Sequence, residues 1–405
     1  MKFNIWEDCP KVPITELLSF IVDNRGKTVP TANDGWKLIA TNCVTNNTLF
    51  PVYEKVRYLT QETYETWFRA HPMPGDILFV NKGTPGRVCM VPDPVDFCIA
   101  QDMIALRADD KKIYNKYLFA VLRSREIQQQ IYNTNVGDVI PHFKKQFMDQ
   151  LLIPVPDRKI QEKIGNLYYQ LSYKVELNKK INENLLQQAL AIYKAWFCDY
   201  VLSDGVLPES WHITTIDALS SLVTRGIAPK YDDSSNQIVL NQKCIRDHTI
   251  DVSLARRHLP KKINEKWISK GDLLINSTGT GTLGRVAQVW FDANNMTVDS
   301  HVTIVRPKAP IFQSYIGFWG LSHESEIEAQ HTGSTGQTEL PRDRVKAMEL
   351  PFPDEDTLSK FNELVIPMTY AVVSKQKENA RLSQLRDTLL PKLMSGEIDV
   401  SELEL

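Results

Sequence analysis

The 405-residue sequence is poor in the features that mark many functional classes. Its six cysteines (Cys9, Cys43, Cys89, Cys98, Cys198, Cys244) are scattered, with no Cys-x-x-Cys pair and no histidine at ligand spacing. That pattern speaks against a zinc site or a disulfide framework and fits reduced thiols in a cytoplasmic protein. Apolar runs such as residues 77–80 and 302–305 are of strand length, far short of what a bilayer requires, so no membrane role is expected. The opening Met1-Lys-Phe-Asn-Ile-Trp-Glu-Asp-Cys-Pro10 has no apolar core of the kind a secretory leader needs. With 47 basic and 49 acidic residues the net charge is −2, so any role on nucleic acid must rest on local basic clusters.

Catalytic signatures are missing too. There is no Gly-x-x-x-x-Gly-Lys-Ser/Thr loop, no Gly-x-Ser-x-Gly elbow and no His-Glu-x-x-His. Nor is there an Asn/Asp-Pro-Pro-aromatic segment of the kind that holds a flipped base for methylation. The eight histidines are isolated. Neither a catalytic group, a cofactor nor a metal is expected.

What the sequence does have is a long helix in its middle, spanning residues 157–200. No proline interrupts it, and Asp157 after Pro156 is placed to cap it. From Leu171 a seam runs through Val175, Asn178, Asn182, Leu185, Ala189, Ile192 and Trp196 in alternating steps of four and three, which is a heptad pattern. Such a helix would be on the order of 60 Å long and would need a partner helix.

The partner comes from an internal repeat. Gly75-Asp-Ile-Leu-Phe-Val-Asn-Lys-Gly-Thr-Pro-Gly-Arg-Val88 recurs as Gly271-Asp-Leu-Leu-Ile-Asn-Ser-Thr-Gly-Thr-Gly-Thr-Leu-Gly-Arg-Val286. After each loop a strand is expected to end in arginine (99–107 and 298–306), followed by an aromatic helix start (114–122 and 315–321). A polar segment with Gly and Pro comes next (137–141 and 336–341). Each half closes on Pro-x-Pro-Asp, at Pro154-Val-Pro-Asp157 and Pro351-Phe-Pro-Asp354, a strand handing over to a helix. The second helix, 354–395, has its own seam through Phe361, Leu364, Met368, Ala371, Lys375, Glu378, Leu382, Leu385 and Leu389, and Gly396 is a fitting stop. Pro367 predicts a kink or a broken first section, and Pro391 a loosened last turn. Asn178 and Asn182 are expected to face Lys375 and Glu378 and so set the register. Between the helices, strands are expected at 38–42, 76–80, 87–91, 237–240 and 272–276, with helices near 60–68, 116–132 and 313–330. The fold class is therefore α+β: two β-rich mixed domains separated by two long helices forming an antiparallel coiled coil, a pseudo-twofold internal repeat.

Gly279-Thr-Gly-Thr-Leu-Gly284 matches a dinucleotide fingerprint, which requires a helix to open at its last glycine. The following Arg285-Val-Ala-Gln-Val-Trp-Phe291 alternates like a strand instead, and the first copy does not keep the pattern. Two readings stay open: a tight glycine hairpin without a ligand, or a glycine/threonine loop lying against phosphates. The second makes Asn81, Lys82, Thr84 and Arg87 of the first copy candidates for DNA contact, together with Ser277, Thr278, Thr280, Thr282 and Arg285 of the second. Basic clusters after the Gly-to-Pro segment in both halves add His142, Lys144 and Lys145, and Arg342 and Arg344. The polar fork at 334–338 adds Gln337 and Thr338 as groups able to read base edges or merely to shape a loop. Other basic pairs, Arg25 with Lys27, Lys111 with Lys112, and Arg256-Arg257-His258 with Lys261-Lys262, are as readily solvated faces.

The doubled unit-plus-helix resembles the DNA-specificity subunit of type I restriction-modification systems. The residues that carry the resemblance are Gly271-Asp-Leu-Leu-Ile-Asn-Ser-Thr-Gly-Thr-Gly-Thr-Leu-Gly-Arg285, Leu207-Pro-Glu-Ser-Trp211 and Leu385-Arg-Asp-Thr-Leu-Leu-Pro-Lys-Leu-Met-Ser-Gly-Glu-Ile398. The first unit departs most, with a shorter glycine loop and a loose counterpart of the tryptophan opening at Trp6. The resemblance implies two target-recognition domains, 1–156 and 204–353, each reading half of an asymmetric, split site in double-stranded DNA. It implies that helices 157–203 and 354–405 are spacers that dock adenine methyltransferase subunits, two of them, with restriction/translocase subunits joining the complex. It further implies that the chain is a non-catalytic subunit. Alternatives are a stand-alone DNA-binding protein or regulator without a methyltransferase, a nucleotide-binding enzyme using the 279–284 loop, and a coiled-coil adaptor.

Overall fold

A computed structural model describes residues 3–24, 26, 28–134, 141–259, 262–333 and 338–400. The chain divides into two compact units, one made of Met1–Lys179 with Lys377–Leu405 and the other of Lys180–Gln376. Each long helix contributes one segment to each unit.

In the first unit the chain forms β1 (Lys11–Pro13), β2 (Leu18–Val22), β3 (Trp36–Ile39), β4 (Arg57–Leu59), β5 (Ile77–Val80), β6 (Val88–Met90), β7 (Phe97–Ile99), β8 (Met103–Ala108) and β9 (Leu152–Pro154). The four-stranded sheet has the order β2-β8-β5-β6, a three-stranded sheet β4-β3-β7, and β1 pairs with β9. Strand β5 shows why this core forms. Its side chains alternate, so Ile77 and Phe79 enter one apolar cluster while Leu78 and Val80 enter another on the opposite face. A strand covered on both faces must be apolar throughout, and this one is.

The second unit repeats the plan. It holds β10 (His212–Thr215), β11 (Ser220–Arg225), β12 (Gln237–Leu240), β13 (Ile245–Arg246), β14 (Thr249–Ile250), β15 (Arg256–His258), β16 (Leu273–Asn276), β17 (Val286–Gln288), β18 (Met296–Val298), β19 (Val302–Pro307) and β20 (Glu349–Phe352). Its sheets run β11-β19-β16-β17 and β15-β12-β18, with β10 on β20 and the added hairpin β13-β14. Strand for strand, this is the order of the first unit.

Several expected runs are subdivided. The stretch 99–107 is the end of β7, a turn and β8, because Asp102 takes a left-handed φ of 65°. Its counterpart 298–306 breaks at Asp299, whose carboxylate accepts from the His301 N–H at 2.9 Å. The helix expected at 116–132 is two, Asn115–Leu122 and Arg125–Asn133, because the Ser124 hydroxyl caps the second through the Ile127 N–H. Likewise 313–330 resolves into Gln313–Ser322 and Glu324–Ala329.

The long helices run Arg158–Phe197 and Glu355–Met394. The first stops before residue 200, where Tyr200 has a φ of 51°. The second passes unbroken through Pro367 and Pro391, against the expectation of a broken section. Pro367 and the Glu363 carbonyl that loses a donor both lie on the exposed face, where water can replace the missing N–H. Gly396 ends the helix with φ +71°, and a Cβ there would stand 1.9 Å from the Phe3 carbonyl oxygen.

Within the first unit the two helix segments run antiparallel. Lys163 donates to the Val400 carbonyl, Arg386 lies over the Tyr168 ring, and Asn178 donates to Asn379 at 2.9 Å. Asn178 therefore meets Asn379, and Glu378 meets Lys174 at 4.0 Å. Gly165 lets the long helix lie close against the start of helix Asn115–Leu122: a Cβ would fall 2.5 Å from the Tyr117 backbone nitrogen. In the second unit Tyr193, Phe197 and Phe361 cluster with centroids 5.0–6.1 Å apart. Burying each such ring contributes roughly 1.5–3 kcal/mol. Towards the ends the expected seams slip by one residue. Tyr193 and Phe197 are buried in place of Ile192 and Trp196, Val365 in place of Leu364, and Arg386 in place of Leu385. Heptad spacing gives way to the 3.6-residue stripe of a helix packed on a globular core.

Candidate nucleic-acid interface

The glycine loops are hairpin turns, joining β5 to β6 and β16 to β17. Glycine is required by backbone shape at Gly284, where φ is +85° and a Cβ would sit 2.6 Å from the Glu328 Cβ. Because Arg285 leads into β17 and not into a helix, no helix N-terminus stands ready for a pyrophosphate, and the dinucleotide reading fails on geometry.

Both turns sit in one backbone frame. The Asn81 N–H donates to the Asp102 carbonyl at 2.8 Å, and the Ser277 N–H to the His301 carbonyl at 2.8 Å. The returning chain then closes the frame: Phe143 N–H donates to the Asn81 carbonyl at 2.8 Å, and Leu340 N–H to the Ser277 carbonyl at 2.8 Å. Lys82 is thereby bridged to His142, and Thr278 to Glu339.

Within this frame the candidates divide by position. Asn81 is fully buried, and its amide donates to the Phe143 carbonyl at 3.2 Å. Ser277 is fully buried against the Thr303 hydroxyl at 2.6 Å. These two brace the turns from inside. Thr282 does similar work, donating to the Thr278 and Gly279 carbonyls at 3.3 Å each. Lys82, Thr84, Arg87 and His142 are half-buried, and Lys144 is exposed. Lys145 pairs with Asp23 at 3.3 Å. In the second unit the Thr278 hydroxyl meets His301 Nδ1 at 2.8 Å, and Thr280 is exposed. Arg285 is half-buried beside Glu324. Burial would raise the Glu324 carboxyl, but His248, the Val286 N–H and Arg285 hold it below the usual range. Thr338 is half-buried, whereas Arg342 and Arg344 are exposed; Arg344 donates to the Gln330 carbonyl at 3.1 Å. Gln337 lies outside the described residues.

In the first unit Asn81, Lys82 and His142 converge on an open groove of about 530 Å³. Four further residues line it that sequence reasoning passed over: Asp23, Gly26, Gln101 and Asp102. The equivalent frame of the second unit adds His301, Glu339 and Arg225, the last two paired at 2.7 Å. Apart from Gly26, none carries a glycine or basic-cluster signal. The repeat held the usable clue, since Asp102 and His301 occupy one step of it.

Comparison with known proteins accords with this architecture. A family model described as the type I restriction modification DNA specificity domain matches residues 11–187. The type I restriction enzyme MjaIX specificity subunit of Methanocaldococcus jannaschii is 23% identical over 311 residues, covering 72% of this chain and 71% of that protein. The type I restriction enzyme HindI specificity subunit of Haemophilus influenzae is 21% identical, covering 80% of this chain and 86% of that protein. Among solved structures, the S subunit of a type I restriction-modification system from M. genitalium superposes with a TM-score of 0.57 at 16% identity, over 97% of this chain and 98% of that one, so the fold is shared. In its matched domain, its curated relatives and its fold, this chain is thus similar to type I restriction-modification DNA-specificity proteins.

Proposed function

We propose that the chain is the DNA-specificity subunit of a type I restriction-modification complex, reading a split, asymmetric site in double-stranded DNA. In this reading residues 1–156 and 204–353 are the two target-recognition domains. Residues 157–203 and 354–405 are the spacers and the docking faces for adenine methyltransferase subunits, two per complex, which restriction/translocase subunits join. The observation that carries it is the doubled turn: one backbone frame occurs twice with unlike side chains, Lys82 and Asp102 against Thr278 and His301. Identical frames present their side chains alike, and unlike side chains select unlike bases, as an asymmetric site demands.

Each domain alone would contact few base pairs and discriminate weakly. Linking them makes the second contact intramolecular and raises its effective concentration. Modest net charge suits a subunit whose partners contribute to phosphate neutralisation. Methyl transfer and cleavage belong to those partners. Among the described residues no helix is long and apolar enough to cross a membrane, in keeping with work on cytoplasmic DNA.

The test is reconstitution. The chain and an adjacently encoded adenine methyltransferase should copurify and methylate a split site, and the methyltransferase alone should lose that selectivity. A chain that binds a split site tightly by itself and retains no methyltransferase would contradict the reading.

A further inference from the structure

The repeat-equivalent positions differ in a chemically directed way. In the first unit the groove is lined by Asp23, Asn81, Lys82, Gln101, Asp102 and His142. The Asp102 carbonyl accepts from the N–H groups of both Asn81 and Lys82, at 2.8 and 3.3 Å, so the ammonium-bearing and carboxylate-bearing residues spring from adjacent, locked points of the backbone. Among the described residues neither Lys82 nor Asp102 enters an ion pair, while Asp23 is engaged by Lys145. A groove built only to hold phosphates would not be lined by two carboxylates, which DNA phosphates repel. Base edges are different: guanine offers the acceptors O6 and N7 in the major groove, and its cytosine partner offers the N4 amine.

We infer that Lys82 and Asp102 form a reader for a G·C base pair, Lys82 donating to guanine O6 and N7 and Asp102 accepting from cytosine N4. The assignment rests on the DNA-specificity reading above and deepens it by naming the base pair. At the same step of the second unit stand Thr278 and His301, held to each other at 2.8 Å. The ion pair flanking the frame is also reversed in sense: Asp23 with Lys145 in the first unit, Arg225 with Glu339 in the second. The second frame therefore offers no carboxylate and ammonium on the two positions that read the pair, and it selects a different one.

The experiment uses the full chain copurified with its methyltransferase, with Lys82→Met, Asp102→Asn and Thr278→Ala variants, and sequences the methylated adenines. The wild-type motif is expected to contain a G·C pair whose discrimination falls about 5- to 150-fold in the Lys82→Met and Asp102→Asn variants, in one half-site only. Thr278→Ala should leave that pair untouched and relax the other half-site. Asp102→Asn is nearly isosteric, so it keeps the test valid should Lys82→Met fold poorly. Uniform weakening at every position, with a salt dependence shallower by about one ion, would mean a phosphate contact and overturn the inference. Relaxation at an A·T pair would overturn it as well. A wild-type complex that methylates no split site would overturn the parent reading, an outcome visible before any variant is compared.

Discussion

Arg306 closes on Asp272 with two parallel hydrogen bonds, Nε to Oδ1 at 2.9 Å and Nη2 to Oδ2 at 2.7 Å, and Arg107 does the same to Asp76 at 2.9 Å on both arms. The aspartate also accepts from the Ser269 N–H in one unit and the Met73 N–H in the other, at 2.8 Å each. One carboxylate thus ties the start of the strand entering the glycine turn, β5 or β16, to its sheet neighbour, β8 or β19. The repeated Gly-Asp and the strand-ending arginine are one device, and its pairing raises the pKa of Arg107 and Arg306 alike.

Asp272→Asn should therefore be costly. Asp272 is 1% exposed and Arg306 24%, so the variant leaves a largely buried guanidinium without its countercharge. A loss of about 3 kcal/mol is expected in urea unfolding, with Asp76→Asn comparable. Arg306→Lys keeps the charge but loses the fork and should cost less. Variants within experimental error of the parent would show that the pair is ornamental.

The Asn178 amide donates to Asn379 at 2.9 Å, and Asn379 donates to the Val175 carbonyl at 3.3 Å, in the polar middle of the seam. Asn178 is fully buried. Asn178→Ala should cost about 1–3 kcal/mol, since it leaves the half-buried Asn379 side-chain oxygen without its donor. Replacing both asparagines by leucine should recover most of that stability while relaxing helix register. Thermal melts of the single and double variants measure the first effect. If the double variant is as unstable as the single, the amide pair is not the cause.

Much of this was legible in the sequence because the same forces acted twice. The apolar runs of β5 and β16, the Pro-x-Pro-Asp punctuation and the glycine turns follow from local rules, and the repeat multiplied their weight. The seam slips were not legible, because Ile192 and Tyr193 are both apolar and only contact with the domain core decides which turns inward. The groove acids were also hidden. Asp102 lies 20 residues from Lys82 in the chain, and the left-handed turn that brings its carbonyl to Lys82 has no glycine to announce it.

Asp354 links two of the sequence signatures. Its carboxylate caps the helix Glu355–Met394 through the Thr357 N–H at 2.8 Å and accepts from the Trp211 indole at 2.8 Å. Burial would raise its pKa, but the Thr357 N–H, the indole and the Thr357 hydroxyl outweigh it and hold the carboxyl below its usual value. A depressed carboxyl stabilises the fold above its unfolded-state pKa near about 4, and loses that contribution as pH falls through the lower folded value. Asp354→Ala should cost about 1 kcal/mol at neutral pH, and the gap from wild type should close below about pH 4. A gap that widens in acid would contradict the sign.

The central claim is that one chain carries two unlike half-site readers joined by a helix of set length. Sequencing methylated adenines in a host expressing the chain with its methyltransferase tests it most directly, with wild type beside a variant lacking one heptad from residues 157–203. The account predicts one split motif with two unlike halves, and in the variant the same halves with an altered gap. An unchanged gap, or a motif without two distinct halves, would contradict it.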